Sequence, residues 1–479
     1  MRCALIVPPW RPGDIFPEGT VGSQLNYWQP LGVLYIAAAL RVAGHDVRFL
    51  DGSFLDEESI AADLDRWQPG WVGLTATTFS WPRAVSLARR LKALKPAPFI
   101  CAGGPYAIAL RHRCLEETDV PIDAVVTGEG EAVAPVLVDR LAKGIPLDGL
   151  AGVDFRRDGA VVANPPAPLI EDLDGLPFPA RDLLGERARY VPAPATYRRR
   201  PVATMLTSRG CNRRCLYCFQ IDRDRSGGHH GVRLRSVANV MAEIEACLAE
   251  GYREIKFLDD SFVADYDRAF AIAREIRARR LDFTWFASAC VNQVDEPLLR
   301  EMRLAGCWAI LLGAESGVQR NLNTLRKGIT LEQTRAAVRA AKRVGLQVST
   351  PFVFGIPGES VADIERTIEF AIELDPDLAN FHALTPFPGT PLHERARDLG
   401  WLSTDHNDYT YQGVAFVPTG LQRDDIIALR RLAFRRFYSR PRWLLRRLMR
   451  LRRLDDLWAA VLGAISLVNL WNRPAATRR

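Results

Sequence analysis

The sequence predicts an α/β protein in which an N-terminal doubly wound parallel sheet precedes a partial (β/α)6 barrel of the TIM type and a helical C-terminal extension. Three observations lead there. Short apolar runs alternate with amphipathic stretches over residues 1–145, the same alternation resumes six times over 201–400, and a proline-rich interval with weak periodicity separates the two. At 479 residues the chain is also roughly two to three times the length of a domain of about 100–200 residues, so more than one hydrophobic core is expected.

In the first region the strand candidates are CALIV (3–7), DVRFL (46–50), WVGLTAT (71–77), PFICAGG (98–104) and AVVTG (124–128). Between them lie the helical patterns LGVLYIAAALRVAGH (31–45), AVSLARRLKAL (84–94) and EAVAPVLVDRLAKG (131–144). Consecutive β-α units joined by right-handed crossovers give a parallel, Rossmann-like sheet. Such sheets bind ligands past the carboxyl ends of their strands. That rim is formed here by Pro8–Asp14, the loop from Thr75 to Trp81, Gly103-Gly104-Pro105-Tyr106 and Gly128-Glu129-Gly130-Glu131. One glycine pair alone makes only a tight turn, whereas several on one rim let backbone approach a cofactor closely.

Residues 146–200, with LPFPARDLL (176–184) and VPAPATYRRRP (191–201), read as a surface linker. The region 201–400 then supplies VATML (202–206), REIKFL (253–258), FTWFAS (283–288), WAILLG (308–313), QVSTPFVF (347–354) and LANFHAL (378–384). Six units fall short of a closed eight-stranded barrel, and barrel chemistry belongs in the loops after the strands. Over 401–479 the alternation ends. Arg430 to Arg453 form an arginine-rich run interleaved with Phe434, Phe437, Trp443, Leu444, Leu445, Leu448 and Leu451, followed by the apolar segment 457–471. That segment is shorter than the ~20 residues a spanning helix requires. A helix lying on an anionic surface, or a charged helix packed on the barrel, are the two readings of 430–471.

A hydrophobic content of 48% and a charged content of 25% are those of a water-soluble globular chain. The net charge of +7 is concentrated toward the C-terminus, and no appended nucleic-acid module is visible, so no nucleic-acid partner is expected. MRCALIVPPW runs directly into a strand, without the features of a secretory signal, which implies a reducing cytoplasmic setting for the nine cysteines. Cys3, Cys101, Cys114, Cys247, Cys290 and Cys307 are scattered singly and read as small buried hydrophobes.

Cys211, Cys215 and Cys218 differ, because they cluster in SRGCNRRCLYCFQ (208–220), directly after the first barrel strand. A structural zinc site needs four ligands, and no second knuckle follows; His229 and His230 are the nearest candidates for a fourth. Three thiolates suit an iron-sulfur cube better, each binding one iron and leaving a fourth open. Arg213 and Arg214 favour the thiolate form.

The spacing C-x-x-x-C-x-x-C, with the aromatic Tyr217 before the last cysteine, resembles the signature of the radical S-adenosylmethionine (radical SAM) enzymes. The resemblance implies a 4Fe-4S cluster on Cys211, Cys215 and Cys218 whose open iron chelates S-adenosylmethionine for reductive cleavage to a 5'-deoxyadenosyl radical. It implies further contacts in order along the barrel. FLDDSF (257–262) resembles an acidic segment near the methionine amino group, with Asp259 and Asp260 as candidates. LLGAESG (311–317) resembles the ribose-contacting segment, with Glu315 and Ser316. FGIPGES (354–360), with Gly355 and Pro357, resembles the segment that receives adenine, and TPFPGTPL (385–392) the last barrel loop.

The N-terminal region is similar to the cobalamin-binding domain of one branch of that family, through residues 29–51, 73–84, 101–107 and 125–131. Thr75, Gly103, Gly104, Gly128 and Glu129 are its candidate cofactor contacts. The branch includes methylases of unactivated carbon or phosphorus, the anaerobic cyclase of bacteriochlorophyll synthesis and hopanoid methylases. Two departures stand out. D-x-H-x-x-G, whose histidine ligates cobalt elsewhere, is absent, with His45 placed before the second strand; and Cys290 and Asn292 stand where relatives often carry arginine and aspartate. Cys290 is thereby a candidate catalytic thiol.

The resemblance implies cobalamin-dependent methylation of a small molecule, such as a lipid or natural-product intermediate, with flavodoxin or ferredoxin as reductant. A cobalamin-independent cyclisation, rearrangement, coupling or transfer of another SAM-derived group stays open. So does a non-enzymatic role of the basic C-terminal region in binding a membrane or nucleic acid.

Overall fold

The computed structural model describes residues 1–15, 27–117, 119–193, 196–221, 231–410, 412–449 and 461. His229, His230 and all of the apolar segment 457–471 except Val461 lie outside the described residues. The chain divides into two compact units. One comprises Met1–Arg11, Gln29–Arg187 and residues 219–221; the other comprises Ala188–Cys218, the described residues of Pro12–Trp28 and those beyond 230.

The first unit is built on a seven-stranded sheet. Five strands are parallel: β1 (Arg2–Val7), β2 (Asp46–Asp51), β3 (Trp71–Thr75), β4 (Phe99–Gly103) and β5 (Ala124–Val126), in the spatial order β2-β1-β3-β4-β5. Ala4, Ile6, Val72, Leu74, Ile100 and Ala102 sit in a core with Trp81, Leu87, Leu91 and Ile60, which is why the strands read as near-continuous apolar runs. The order reverses between β1 and β3, and that is the position where doubly wound sheets of this order bind their ligand.

The interval read as a linker contributes two further strands. β6 (Val153–Arg157) and β7 (Ala160–Val162) extend the sheet antiparallel beyond β5. Their connection is Asp158-Gly159 with φ of 51° and 82°, both positive as a two-residue type I' hairpin requires. Asp-Gly between short apolar runs is the local signal that the periodicity reading passed over.

The second unit carries six parallel strands in sequential order: β8 (Val202–Met205), β11 (Glu254–Phe257), β12 (Thr284–Ala289), β13 (Cys307–Leu312), β14 (Gln347–Phe354) and β15 (Leu378–Ala383). The intervening β9 (Ser208–Arg209) and β10 (Arg233–Leu234) form a separate two-stranded ribbon. Five barrel helices start at a capped residue: Ser236, Asp265, Asp295, Thr330 and Ser360 each accept from the backbone N–H three residues on. The caps fix where each loop ends and the helix begins.

Alternation along the strands separates the two faces of the sheet. Ala203, Met205, Ile255, Phe257, Trp285, Ala287, Ile310, Leu312, Phe352, Phe354, Ala379 and Phe381 turn outward into the core beneath the helices. Phe286, Trp308 and Ala309 form a separate apolar group on the other face, the lumen. The register shifts between Trp285 and Phe286, so that Trp285 pairs with Cys307 and Phe286 with Ala309. Trp308 is the extra residue of this bulge, which brings it inward beside Ala309.

Part of the C-terminal extension belongs to the barrel core. The helix Arg423–Tyr438 buries Ile426, Leu429, Ala433 and Phe437 in the barrel core, and Arg430, fully enclosed, donates to the Phe381 carbonyl. Phe381 lies 5.5 Å from Phe352, 5.7 Å from Phe354, 5.3 Å from Phe434 and 6.2 Å from Phe437, centroid to centroid. Phe381→Ala is expected to destabilise the protein by about 3–5 kcal/mol, measured by denaturant unfolding. A loss below about 1 kcal/mol, the range of a surface change, would show that this helix does not share the barrel core.

Candidate functional site

The cysteine loop has little regular structure of its own and is held by side chains from the surrounding strand ends. At its start, Asp259 after β11 accepts on one oxygen from the Thr207 N–H at 3.0 Å, the Thr207 hydroxyl at 2.8 Å and the Ser208 hydroxyl. Its second oxygen is buried without a donor among the described residues. Burial raises the Asp259 pKa, opposed by Ser208, Thr207 and Arg268. Asn212 accepts from Gln293, and Arg213 donates to Asn292, both partners lying after β12. Asn292 thus fixes the arginine between two cysteines. Farther along, the Leu216 N–H donates to the Leu325 carbonyl, and the Leu216 carbonyl accepts from Leu392 in the last barrel loop.

Around the later cysteines the electrostatics are set by a buried ion pair. Lys327 Nζ lies 2.6 Å from Glu315 Oε1 and 3.4 Å from the Tyr217 hydroxyl. The two charged side chains are 13% and 7% exposed. Burial disfavours the Lys327 ammonium, yet Glu315, Tyr217 and Cys215 hold its pKa well above the usual value. A hydrogen bond from Cys218 pulls Cys215 down to about 7 against desolvation, aided by Lys327 and Arg213. The same bond and burial push Cys218 up. Desolvation raises Cys211, which lies near both Asp260 and Cys290. Among the described residues no three of His, Cys, Asp and Glu converge on a single ion; a cube takes one iron per thiolate and does not require it.

Glu315 adopts a left-handed backbone, φ 61°, bridging to β14 through its N–H to the Pro351 carbonyl and its carbonyl from the Val353 N–H. Gly313 leaves room for the pair, since a Cβ there would stand 2.7 Å from both Glu315 Oε1 and Lys327 Nζ and would make their ends shift. Ser316, by contrast, is fully buried and engaged by Thr367, Val318 and Asn321, so it is a brace within the wall. Gly355 has φ 87°, and its N–H, with that of Ile356, donates to Glu359 at 2.7 and 3.1 Å. The other Glu359 oxygen accepts from Asn321 at 2.8 Å. Those two N–H groups are therefore committed to the turn, and Pro357 at its tip is partly exposed. Asp260 is exposed, and Cys290 is buried below the loop carrying Asn292.

Sequence reasoning did not single out Lys327, Glu359 or the polar lumen residues of β11. Glu254 and Lys256 face inward between the outward Ile255 and Phe257, a period-two signal that was present in REIKFL. Lys327 gave no local signal, because its partner lies twelve residues earlier across a turn.

In the first unit Thr75 and Gly103 are register partners at the ends of β3 and β4. Gly104 has φ 90°, and a Cβ on it would stand 2.8 Å from the Ala76 carbonyl oxygen and 2.9 Å from Thr75 Oγ1. These three positions thus meet beside the switch point. At Gly103 the nearest atom to an added Cβ is 4.0 Å away. Glu129 is buried and accepts from the Ile170 N–H at 2.7 Å, so its carboxylate ties the following segment to the rim. His45 directly precedes β2, at the end of the sheet opposite the rim.

The model of the Radical SAM superfamily matches residues 205–371, and that of the B12 binding domain matches 18–138. An uncharacterized methyltransferase of Pyrococcus horikoshii is 35% identical over 93% of this chain and 94% of its own. The anaerobic magnesium-protoporphyrin IX monomethyl ester cyclase of Rubrivivax gelatinosus is 28% identical over 93% and 78%. Among solved structures, the radical S-adenosylmethionine methyltransferase TsrM of Kitasatospora setae, with cobalamin and a [4Fe-4S] cluster bound, superposes with a TM-score of 0.72 over 97% of this chain and 98% of that one; at 19% identity the likeness is one of fold.

Glu359 supplies a pH test of the adjoining turn. Burial, opposed by the Ile356 and Gly355 N–H groups, raises it from 4.5 to about 7. Between those values the folded protein holds more protons than the unfolded chain, so this group makes stability fall as pH rises through the window. Glu359→Gln should remove that share of the slope. Unfolding free energies across the window should shift in favour of the variant as pH rises and level off above about 7; a difference independent of pH would refute the burial account.

Proposed function

Because the chain belongs to the radical SAM superfamily and carries a B12 binding domain ahead of its barrel, we propose that it is an enzyme methylating an unactivated carbon or phosphorus centre of a small-molecule substrate. The observation that carries this reading is the pairing of the two domains in one chain that aligns nearly end to end with a methyltransferase. The cofactors are a 4Fe-4S cluster, S-adenosylmethionine and cobalamin. When bound, they supply a cluster-generated 5'-deoxyadenosyl radical to activate the substrate and a cobalt-borne methyl group to transfer.

The residues present fit these groups. Cys211, Cys215 and Cys218 would hold three irons, and the positive charges of Lys327 and Arg213 already favour thiolate at Cys215. Tyr217, Asp259, Asp260, Glu315, Gly355 and Pro357 would form the S-adenosylmethionine site. Within it Asp259 fixes the loop through one oxygen and keeps an acceptor on the other, while Lys327 keeps Glu315 charged in a buried setting. Ser316 serves by bracing Glu315 and not by contact. Thr75, Gly103, Gly104 and Gly128 would receive cobalamin at the switch-point rim, with Glu129 supporting the rim. On this reading residues 1–145 form the cobalamin domain and 201–400 the radical barrel, with 146–200 between them and 401–479 packed in part on the barrel. A flavodoxin or ferredoxin would supply the electron.

A second reading keeps the radical and ends in ring closure without methyl transfer; the likeness to the Rubrivivax cyclase favours it. Both readings share the first half of one experiment. Anaerobically reconstituted protein with reductant should show an iron-sulfur chromophore and release 5'-deoxyadenosine, and Cys215→Ala should lose both; wild-type protein giving neither would overturn both readings. After loading with hydroxocobalamin and desalting, retained corrinoid absorbance supports methylation, and its absence removes cobalamin from the mechanism.

The partner of the C-terminal face is proposed as an anionic membrane surface. No helix among the described residues is long and apolar enough to cross a membrane. The helix Pro441–Met449 exposes Leu444 (50%), Leu445 (58%) and Met449 (65%). Arg435, Arg436 and Arg442 are exposed nearby in the sequence. Apolar and cationic groups together suit binding in an anionic interface. Because the preceding helix belongs to the barrel core, substitution is a cleaner test than truncation. The triple variant Leu444→Ser, Leu445→Ser, Met449→Ser should lose co-flotation with phosphatidylserine vesicles; equal flotation of both proteins would reject the contact.

A further inference from the structure

The inward face of β11 carries two opposite charges with opposite fates. Glu254 is nearly fully buried and saturated: it accepts from the Arg198 and Arg199 N–H groups at 2.7 Å each, the Thr284 hydroxyl at 2.8 Å and the Trp308 indole at 3.0 Å. Lys256, two residues on and partly buried, has among the described residues no hydrogen-bond or ion-pair partner. Its ammonium instead lies 4.1 Å from the ring centre of Trp28 and 4.6 Å from that of Phe286. It is the register partner of Phe286 on one side and of Thr204 on the other, one side-chain layer below the strand ends that carry the cysteine loop and Asp259.

We propose that Lys256 is the receptor for an anionic oxygen group, carboxylate or phosphate, on a substrate whose apolar body lies against Trp28 and Phe286. The proposal rests on the reading of the barrel lumen as the reaction chamber and names the substrate class for it. Four considerations support it. A largely desolvated ammonium gains more from an oxyanion than a solvated one does, and cation–π contacts of about 0.5–2 kcal/mol replace only part of its hydration. Glu254 cannot supply the counter-charge, since both its oxygens are occupied by four donors. Desolvation draws Lys256 down to about 8, with Glu254 opposing, so the amine is still mostly protonated at neutral pH. A lysine placed only to pack would ordinarily carry its head to water, whereas this one is flanked by two rings on the lumen face.

The test uses the reconstituted holoenzyme and calorimetric titration with phenyl phosphate, benzoate and benzyl alcohol. Both anions should bind wild-type protein at least about tenfold more tightly than the neutral alcohol, as expected for one charge-assisted hydrogen bond. Lys256→Met should remove that preference, and Lys256→Arg, which keeps the cation, should restore most of it. Tighter binding of phenyl phosphate assigns a phosphate substrate, and tighter binding of benzoate assigns a carboxylate. Equal affinity for anions and alcohol, or an anion preference surviving in Lys256→Met, overturns the proposal. Release of 5'-deoxyadenosine by the same wild-type preparation tests the underlying radical SAM reading separately: if it is released while the anion preference is absent, only the substrate assignment fails.

Discussion

The ion pair between Lys327 and Glu315 is the constraint on which the upper end of the barrel depends. Two charges taken largely out of water are costly unless they meet each other with good geometry, and breaking such a pair costs about 3–5 kcal/mol. Here the geometry is obtained at the expense of backbone freedom. Glu315 occupies a left-handed conformation costing on the order of 1–3 kcal/mol, and Gly313 gives up a side chain so that the ammonium and carboxylate can meet. The same ammonium reaches the Tyr217 hydroxyl and favours thiolate at Cys215. One interaction therefore constrains the chain path between β13 and β14, reaches Tyr217 and adds to the hydrogen bond from Cys218 in favouring thiolate at Cys215.

The cysteine loop illustrates why the strands matter more than the loop itself. Its tethers come from the segments after β11 and β12, from Leu325 and from the last barrel loop. Asp259 is the tightest of them, a buried carboxylate taking three donors on one oxygen. A site held from several rigid elements keeps its geometry where a free loop would not. That accounts for the arrangement of Ser316, Thr367, Asn321 and Glu359, which contact one another and hold the wall in place.

How much of this the sequence disclosed follows from the range of the forces involved. The five parallel strands of the first sheet and the six of the barrel were legible, because burial on both faces leaves a continuous apolar run and helices carry their own period. The three cysteines were legible because their spacing is local. β6 and β7 were missed although Asp158-Gly159 marked them, since strands of five and three residues carry too little periodicity to register. A charged helix packed on the barrel was one of the two readings of 430–471, and Arg423–Tyr438 packs so; what its arginines concealed is that Arg430 is buried against a backbone carbonyl. The engagement of Asp259 and Ser316 by their neighbours depends on contacts that no single segment contains. Lys327 shows the limit most plainly: nothing adjacent to it in the chain distinguishes it from a surface lysine.

The lumen poses a different requirement. Abstraction of hydrogen from an unreactive position offers the enzyme almost no polar handle at the reacting atom, so orientation has to come from binding elsewhere on the substrate. In this barrel the inward face near β11 is aromatic, formed by Phe286, Trp308 and Trp28, and such surfaces exclude water without fixing orientation. The ammonium of Lys256 supplies the missing direction. Had Glu254 been free to pair with Lys256, the two would have neutralised each other. By binding Glu254 to backbone, threonine and indole, the fold leaves the cation one layer below the cysteine loop without a hydrogen-bond or ion-pair partner among the described residues. The bulge at Trp308 is part of that arrangement, because it turns inward the indole that donates to Glu254.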